Sequence, residues 1–170
     1  EIEVFAFFLN LLRHFRNGLG HLTYRLFCDP SHIRSLKGSL KNKTVLIVGN
    51  GPSLNVTPLE DFSDVFSIGM NKIDLIFKKI NWRPNIVLAT NRHVIKQQSS
   101  YYSKSAIPTF IPWYQRWFAI SRGNSIRYFD CPGHRDFSLD LEEGCGIGHT
   151  VTFSALQFAY YMGAARIILV

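Results

Sequence analysis

Residues 44–54 read Thr-Val-Leu-Ile-Val-Gly-Asn-Gly-Pro-Ser-Leu, and this stretch decides the fold. An aliphatic run that stops at Gly-Asn-Gly-Pro-Ser is typical of a buried parallel strand opening into a tight loop at its carboxyl end. Glycine allows sharp turns and close approach of a ligand, and backbone N–H groups near a serine hydroxyl suit a phosphate. We therefore expect the loop to bind a nucleotide or substrate through Gly49, Asn50, Gly51, Pro52 and Ser53. An ordinary strand-to-turn junction is the alternative.

The loop matches neither of the two common nucleotide fingerprints. Gly49 and Gly51 begin a G-x-G-x-x-G pattern, but Leu54 stands at its third glycine position. The chain also lacks the Gly-Lys-Ser/Thr of a P-loop. The sequence thus predicts a nucleotide site without a preference for NAD.

Further apolar runs alternate with helical patterns along the rest of the chain. Runs at 65–70, 85–90, 108–112, 125–129 and 166–170 predict strands, and a final helix is predicted to start near Thr150. This alternation predicts an α/β fold, a Rossmann-like parallel sheet with helices on both faces. We expect an N-terminal helical segment and linker at 1–43 and a nucleotide-binding domain at 44–170. A start without Met and an end inside an apolar run predict a C-terminally incomplete fragment.

Asparagines follow three successive predicted strands, at Asn50, Asn71 and Asn91. The carboxyl ends of parallel strands form the ligand-binding edge of an open sheet. An amide both donates and accepts hydrogen bonds, as recognition of a base or sugar requires. Each asparagine alone is better explained as a helix cap. Because all three recur at equivalent positions, we expect Asn71 and Asn91 to join Asn50 in one site.

A second glycine-rich segment, 144–152, precedes the final helix. Its glycines permit close approach, and Thr150 and Thr152 lie where the first N–H groups of a helix would face an anion. Gly148 and His149 complete the predicted site. His149 is a candidate either for ligand contact or for general acid–base catalysis. A loop with a threonine cap is the structural alternative.

The net charge and the motifs of the chain indicate which classes of partner are expected. The chain carries 19 Lys and Arg against 12 Asp and Glu, a net charge of +7, which favours anionic partners. No nucleic-acid-binding motif is found, so nucleic acid is not expected. The motifs Asp-x-Asp, His-Glu-x-x-His and Gly-x-Ser-x-Gly are also absent, so no metal site is predicted, and metal use by scattered acids such as Asp61, Asp64 or Asp74 is the alternative. Cys28, Cys131 and Cys145 show no zinc spacing, which predicts free thiols in the cytoplasm.

Residues 1–27 combine apolar residues at helical spacing with several basic residues. This pattern predicts a helix that packs on an adjacent domain, or alternatively one that lies on a membrane surface at its inner face. Gly18 and Gly20 are expected to interrupt it, and residues 29–43 to form a solvated connection. Trp113, Tyr114 and Trp117 are expected in the core, with a stacking lid as the alternative. The oligomeric state is not predicted.

Four segments carry a recognisable pattern: Val-Gly-Asn-Gly-Pro-Ser-Leu (48–54), Gly-Met-Asn-Lys-Ile (69–73), Trp-Arg-Pro (82–84) and Gly-His-Thr-Val-Thr-Phe-Ser-Ala-Leu-Gln-Phe-Ala-Tyr-Tyr-Met-Gly (148–163). They resemble the MptE-like family, described after archaeal 6-hydroxymethylpterin pyrophosphokinase, over residues 44–170. Bacterial members often lie among surface-polysaccharide genes. The same skeleton is similar to bacterial sialyltransferases that use CMP-sialic acid in a Rossmann-like domain without a metal.

The resemblance carries expectations for individual residues. The sialyltransferase Gly-Asn-Gly-Pro-Ser loop falls on residues 49–53, and two later strand-end asparagines fall on Asn71 and Asn91. Their Thr-Ser falls on Thr150 and Val151, with Thr152 next, while their catalytic histidine lies further along. The resemblance therefore assigns no catalytic residue within this chain.

The resemblance implies a nucleotide-dependent transferase, a sialyltransferase-like glycosyltransferase that uses a CMP-sugar donor in surface-polysaccharide biosynthesis and requires no cofactor. The alternative is an MptE-like pyrophosphokinase that transfers diphosphate from ATP to 6-hydroxymethylpterin and needs Mg²⁺. A non-catalytic nucleotide-binding module is the third interpretation.

Overall fold

The computed structural model describes residues 18–119, 125–133 and 136–170. The described chain contains strands β1 (Thr44–Val48), β2 (Phe66–Met70), β3 (Ile86–Leu88), β4 (Thr109–Pro112), β5 (Ile126–Phe129) and β6 (Arg166–Leu169). Its helices are α1 (described over 18–27), α2 (Ser31–Arg34), α3 (Arg92–Lys104) and α4 (Val151–Tyr161). Short 3₁₀ turns lie at Pro52–Asn55, Leu59–Phe62, Ile73–Lys78 and Trp113–Phe118. The predicted strands are confirmed, although β3 ends two residues before the predicted position.

The strands form one parallel sheet in the order β5-β4-β3-β2-β1-β6. In the centre, Val45 of β1 lies opposite Phe66 of β2 on one side and Ile167 of β6 on the other. The chain therefore adds β2 to β5 in one direction and then returns to place β6 against the far side of β1. The predicted Rossmann-like α/β fold is confirmed. In such a sheet, ligands bind at the carboxyl edge where the strand order reverses.

Helical elements cover both faces of the sheet. Alternate residues of β1 point to opposite faces, so Val45 and Ile47 pack in the core beneath α4, while Leu46 and Val48 pack with α3. Phe158 of α4 lies between two rings of the sheet, with ring centroids 5.3 Å from Phe110 and 5.1 Å from Phe129. Burial on both faces explains why the strands are continuous apolar runs.

Two expectations for the N-terminal region are wrong. Gly20 does not interrupt the helix, since α1 continues through it from Gly18, the first described residue. A Cβ at Gly20 would lie 3.6 Å from the Cβ of Tyr114, so α1 packs closely on the domain here. Residues 29–43 are also more than a solvated connection, because Ile33 of α2 and Leu40 are buried in the core. The predictions for residues 1–17 lie outside the described residues.

No helix in the described part of the chain is long and apolar enough to cross a membrane.

Replacing Phe158 by Ala tests the core beneath α4. Its side chain is fully buried, so Phe158→Ala is expected to lower the free energy of unfolding by about 3–5 kcal/mol. Phe27→Ala is the matched control, because Phe27 is 75% exposed and should change stability by less than about 0.5 kcal/mol. Urea unfolding followed by circular dichroism measures both. Equal effects of the two substitutions would contradict this packing.

Candidate functional site

The loop after β1 begins with a close approach between two strand ends. The Gly49 N–H donates to the Val170 carbonyl at 2.8 Å, and a Cβ at Gly49 would lie only 3.3 Å from that oxygen. Neither Gly49 nor Gly51 has a positive φ, so the bend at Gly51 does not use the left-handed conformation that favours glycine. Gly49 instead allows β1 and the residue after β6 to lie side by side. The chain then enters the turn Pro52–Asn55, anchored by buried Leu54.

A cleft of about 160 Å³ opens between this loop and the turn Ile73–Lys78 that follows β2. Its polar lining includes Asn50, Asn55, Lys72 and Lys79. The Lys79 ammonium donates to the Asn55 side-chain oxygen at 3.0 Å. Among the described residues neither lysine forms an ion pair, so their positive charge is available to a ligand. The cleft therefore suits an anionic group.

Asn50 and the first turn of α4 meet at the end of β2. The Asn50 side-chain amide donates to the Met70 carbonyl at 2.7 Å, which ties the two loops that form the cleft. From the opposite face of the sheet, the Thr152 hydroxyl lies 3.6 Å from the Met70 sulfur. The structure therefore brings Gly49, Asn50 and Thr152 together around one residue. A ligand lying across this edge would be within reach of the cleft and the start of α4.

Asn71 occupies a backbone conformation that asparagine tolerates better than most residues, with φ at 49°. The Asn71 N–H donates to the Leu88 carbonyl at 2.9 Å, and the Asn71 carbonyl accepts from the Tyr102 hydroxyl at 3.0 Å. Its side-chain oxygen is buried and has no hydrogen-bond partner among the described residues. A buried acceptor without a partner is costly, which makes it a candidate ligand contact.

Asp74 carries a second unpartnered oxygen, Oδ1, within the described chain. Burial raises the pKa of this carboxyl above its usual range, while its backbone hydrogen bond and Lys72 act in the opposite direction. Asp74 also contributes to raising the pKa of Tyr102, whose main cause is burial. The segment after β2 thus contains two buried acceptor oxygens without a partner among the described residues, on Asn71 and Asp74, neither of which lines the cleft.

Asn91 uses its side chain to cap a helix. Its Oδ1 accepts hydrogen bonds from the N–H groups of His93 at 2.9 Å and Val94 at 3.4 Å, at the start of α3. The capping interpretation therefore accounts for the acceptor oxygen of Asn91. The side chain is exposed, two strands away from Asn50 in the sheet. Its predicted contact with a ligand stays a prediction.

The segment before α4 is exposed at the carboxyl edge. Only glycine fits at Gly148, because a Cβ there would lie 2.6 Å from the Phe153 ring. His149 and Thr150 are exposed, and Thr150 occupies the N-cap position without a side-chain hydrogen bond to the helix. The first N–H groups of α4 therefore have no side-chain cap from Thr150, and an anion could satisfy them.

The structure also reveals a pair that sequence reasoning missed. Asp130, which follows β5 and is 2% exposed, contacts the Nδ1 atom of His21 on α1. Burial raises the pKa of Asp130, and the contact with His21 opposes that shift. The rule that selected the asparagines, a polar residue at a strand end, would have found Asp130. No sequence pattern indicated its partner His21, which lies 109 residues earlier in the chain.

The His21–Asp130 pair lies at a distance from the cleft. Three strands separate β5 from β1, which corresponds to about 19 Å at the usual strand spacing. A larger cavity of about 370 Å³ lies near α1 and α2, where Arg34 pairs with Glu142 at 2.8 Å. Burial raises the pKa of Cys28 at this cavity to about 11. Because its charges are partly paired, this cavity is less suited to an anion than the cleft.

The chain matches no protein-family model, and no curated protein matches it in sequence. The MptE-like and sialyltransferase resemblance therefore rests on the motifs alone and stays a prediction.

The Tyr102 hydroxyl offers a direct test of how the Asn71 loop is held. Tyr102→Phe leaves the Asn71 carbonyl without this donor, so we expect the free energy of unfolding to fall by about 1–2 kcal/mol. Tyr160→Phe, at a half-exposed position on α4, should cost less than about 0.5 kcal/mol. Urea unfolding measures both variants. Unchanged stability of Tyr102→Phe would show that this hydrogen bond does not stabilise the loop.

Proposed function

We propose that this protein is a nucleotide-dependent transferase, and that its nucleotide is the CMP part of a sugar donor used in surface-polysaccharide synthesis. The observation that carries the proposal is the cleft at the carboxyl ends of β1 and β2, where Lys72 and Lys79 have no ion pair among the described residues. Phosphate is the anionic group that nucleotides share. A cleft at this edge is where an open parallel sheet binds ligands.

Three groups support phosphate binding from different sides. The two lysines face the cleft from the loop after β2, and the first turn of α4 approaches from the other face of the sheet. The positive end of the helix dipole and the lysine charges act on an anion in the same direction. A phosphate that lies across the carboxyl edge of the sheet would interact favourably with both the lysines and the first turn of α4.

The unpartnered side-chain oxygen of Asn71 supports recognition of a base. This acceptor suits an exocyclic amino group, which cytosine and adenine carry and uracil lacks. The motif resemblance, rather than this geometry, favours cytidine over adenosine. In the proposal, Asn71 orients the base or sugar, and Asn50 keeps the two loops of the cleft together.

The proposed position of the nucleotide supports a sugar-transfer reaction. The acceptor hydroxyl oxygen attacks the anomeric carbon, the bond from that carbon to the phosphate oxygen breaks, and CMP leaves with the bonding electrons. Lys72 and Lys79 would stabilise the negative charge that develops on the leaving phosphate. A general base must accept the hydroxyl proton, and the proposal assigns this role to no residue of the chain. The exposed His149 remains a candidate.

Asp74 supports a second candidate, transfer of diphosphate from ATP to a pterin alcohol. Oxygen ligands suit Mg²⁺, and Asp74 and Asn71 each hold a buried, unpartnered oxygen in the segment after β2. Within the described residues no group of three or more His, Cys, Asp and Glu side chains could hold a metal ion. Mg²⁺ would therefore be held by Asp74 and Asn71 together with the phosphates that it neutralises.

The location belongs to the proposal as well. The three cysteines are free, as the cytoplasm favours, and nucleotide donors are cytoplasmic metabolites. We therefore propose that the protein is cytoplasmic.

A thermal-shift titration with CMP, CTP, UMP and ATP, each with and without Mg²⁺, tests the function. A ligand that binds the native state raises its melting temperature. Stabilisation by cytidine nucleotides without metal is expected. Stabilisation by ATP only in the presence of Mg²⁺ would favour diphosphate transfer. No shift with any nucleotide would contradict both candidates.

A pair of charge-matched variants locates the site. Lys72→Gln/Lys79→Gln removes both cleft lysines, and removal of each ammonium from the phosphate should raise the Kd for CMP about tenfold. Lys41→Gln/Lys43→Gln makes the same change in net charge just before the amino end of β1, at the opposite edge of the sheet. This control should bind CMP like the original protein. Equal weakening in both variants would place the phosphate outside the cleft.

A further inference from the structure

Helix α1 presents a continuous apolar face to solvent. Leu19, Leu22 and Leu26 follow helical spacing and are 52%, 53% and 65% exposed, and the adjoining Phe27 is 75% exposed. The opposite side of the helix packs on the domain through Gly20 and buried Tyr24. Exposed apolar side chains that cluster on one helix face mark an interaction surface, whereas isolated ones do not.

Side-chain contacts hold α1 against the domain on the side opposite its apolar face. Besides the His21–Asp130 contact, the Trp113 indole N–H donates to the Thr23 hydroxyl at 3.0 Å. The Tyr24 ring also packs edge-on against Trp113, with centroids 6.1 Å apart. The apolar face therefore belongs to a docked helix whose orientation relative to the sheet is fixed by side-chain contacts.

An exposed tryptophan extends the surface. Trp117 was expected in the core, but it is 76% exposed. Arg116 lies between two rings, with its guanidinium carbon 4.3 Å from the Trp113 ring centroid and 4.5 Å from that of Trp117. Through Trp113, this stack is joined directly to α1. Tryptophan with a neighbouring arginine is typical of groups that lie at the boundary between lipid and water.

The charged residues beside the apolar face of α1 indicate which kind of partner this face binds. Exposed Arg25 flanks the leucines on α1, and Arg116 lies beside Trp117. Within the described residues neither arginine forms an ion pair, and the whole chain has a net charge of +7. An apolar helix face with basic residues at its border is complementary to a bilayer that contains anionic lipids.

We propose that the exposed face of α1, with Trp117 beside it, docks the protein on an anionic lipid surface. In this arrangement α1 lies in the plane of the interface, its leucines enter the acyl boundary, and Arg25 and Arg116 contact lipid phosphates. Helix α1 contacts Trp113 after β4 and Asp130 after β5, so the carboxyl edge of the sheet faces the bilayer. This inference does not depend on which nucleotide the cleft binds.

Sedimentation of the protein with vesicles tests this proposal. We expect binding to vesicles of phosphatidylcholine mixed with phosphatidylglycerol, weakening as salt is added, and much weaker binding to phosphatidylcholine alone. Leu22→Ser/Leu26→Ser should lower the partition coefficient about a hundredfold, since burial of each leucine contributes about tenfold. Leu139→Ser/Leu169→Ser is the matched control, because these leucines are 65% and 57% exposed and lie outside both α1 and the cleft. The control should bind normally.

Tryptophan fluorescence supplies a second readout. Entry of Trp117 into the interface should shift its emission to shorter wavelength when anionic vesicles are added. Trp117→Phe should reduce the shift strongly, because Trp82 is buried and Trp113 is half-buried against Tyr24 and Arg116.

Several results would overturn the proposal. These are failure to bind anionic vesicles, equal binding to neutral ones, and equally weakened binding in the two leucine variants. Self-association in analytical ultracentrifugation that Leu22→Ser/Leu26→Ser abolishes, without vesicle binding, would instead make this face an interface between copies of the chain.

Discussion

The contact between the Gly49 N–H and the Val170 carbonyl, 2.8 Å long, is the constraint on which the rest of the structure depends. It places the end of β1 against the residue after β6, at the point where the strand order reverses. Any side chain at position 49 would press on that carbonyl. The loop that starts there then receives its second attachment from Asn50, whose amide holds the Met70 carbonyl. Together these two hydrogen bonds fix one wall of the cleft.

The distribution of charged residues differs between the cleft and the region around α2. Around α2, basic and acidic side chains are paired: Lys37 lowers the pKa of Asp140, and Arg34, with a smaller effect from Lys37, lowers the pKa of Glu142. At the cleft, Lys72 and Lys79 form no ion pair among the described residues, although Lys72 interacts electrostatically with the Asp74 carboxyl. The excess positive charge is therefore available where the sheet binds ligands.

The fold could be predicted from the sequence because strands buried on both faces leave continuous apolar runs such as residues 44–48. The strand-end rule also located Asn50 and Asn71 just after β1 and β2, at the carboxyl edge of the sheet. The rule could not separate a ligand contact from a cap, and the Asn91 oxygen bonds to the start of α3. Nor could it show that Gly49 serves close approach, because that depends on a neighbour distant in sequence.

Tertiary packing also explains the failures near the N-terminus. Gly18 and Gly20 suggest a break when propensity alone is considered, but the contact with Tyr114 favours a small residue inside α1. Ile33 is surrounded in sequence by polar residues and is nevertheless fully buried. Each outcome is decided by contacts between segments that no local pattern encodes.

Mapping CMP binding by changes in backbone amide NMR signals tests the central claim most directly. Binding in the cleft predicts that the changes concentrate in residues 49–55 and 71–79, with a further group at the start of α4. Changes confined to the cavity near Arg34 and Glu142, or no saturable change at all, would contradict a nucleotide site at the ends of β1 and β2.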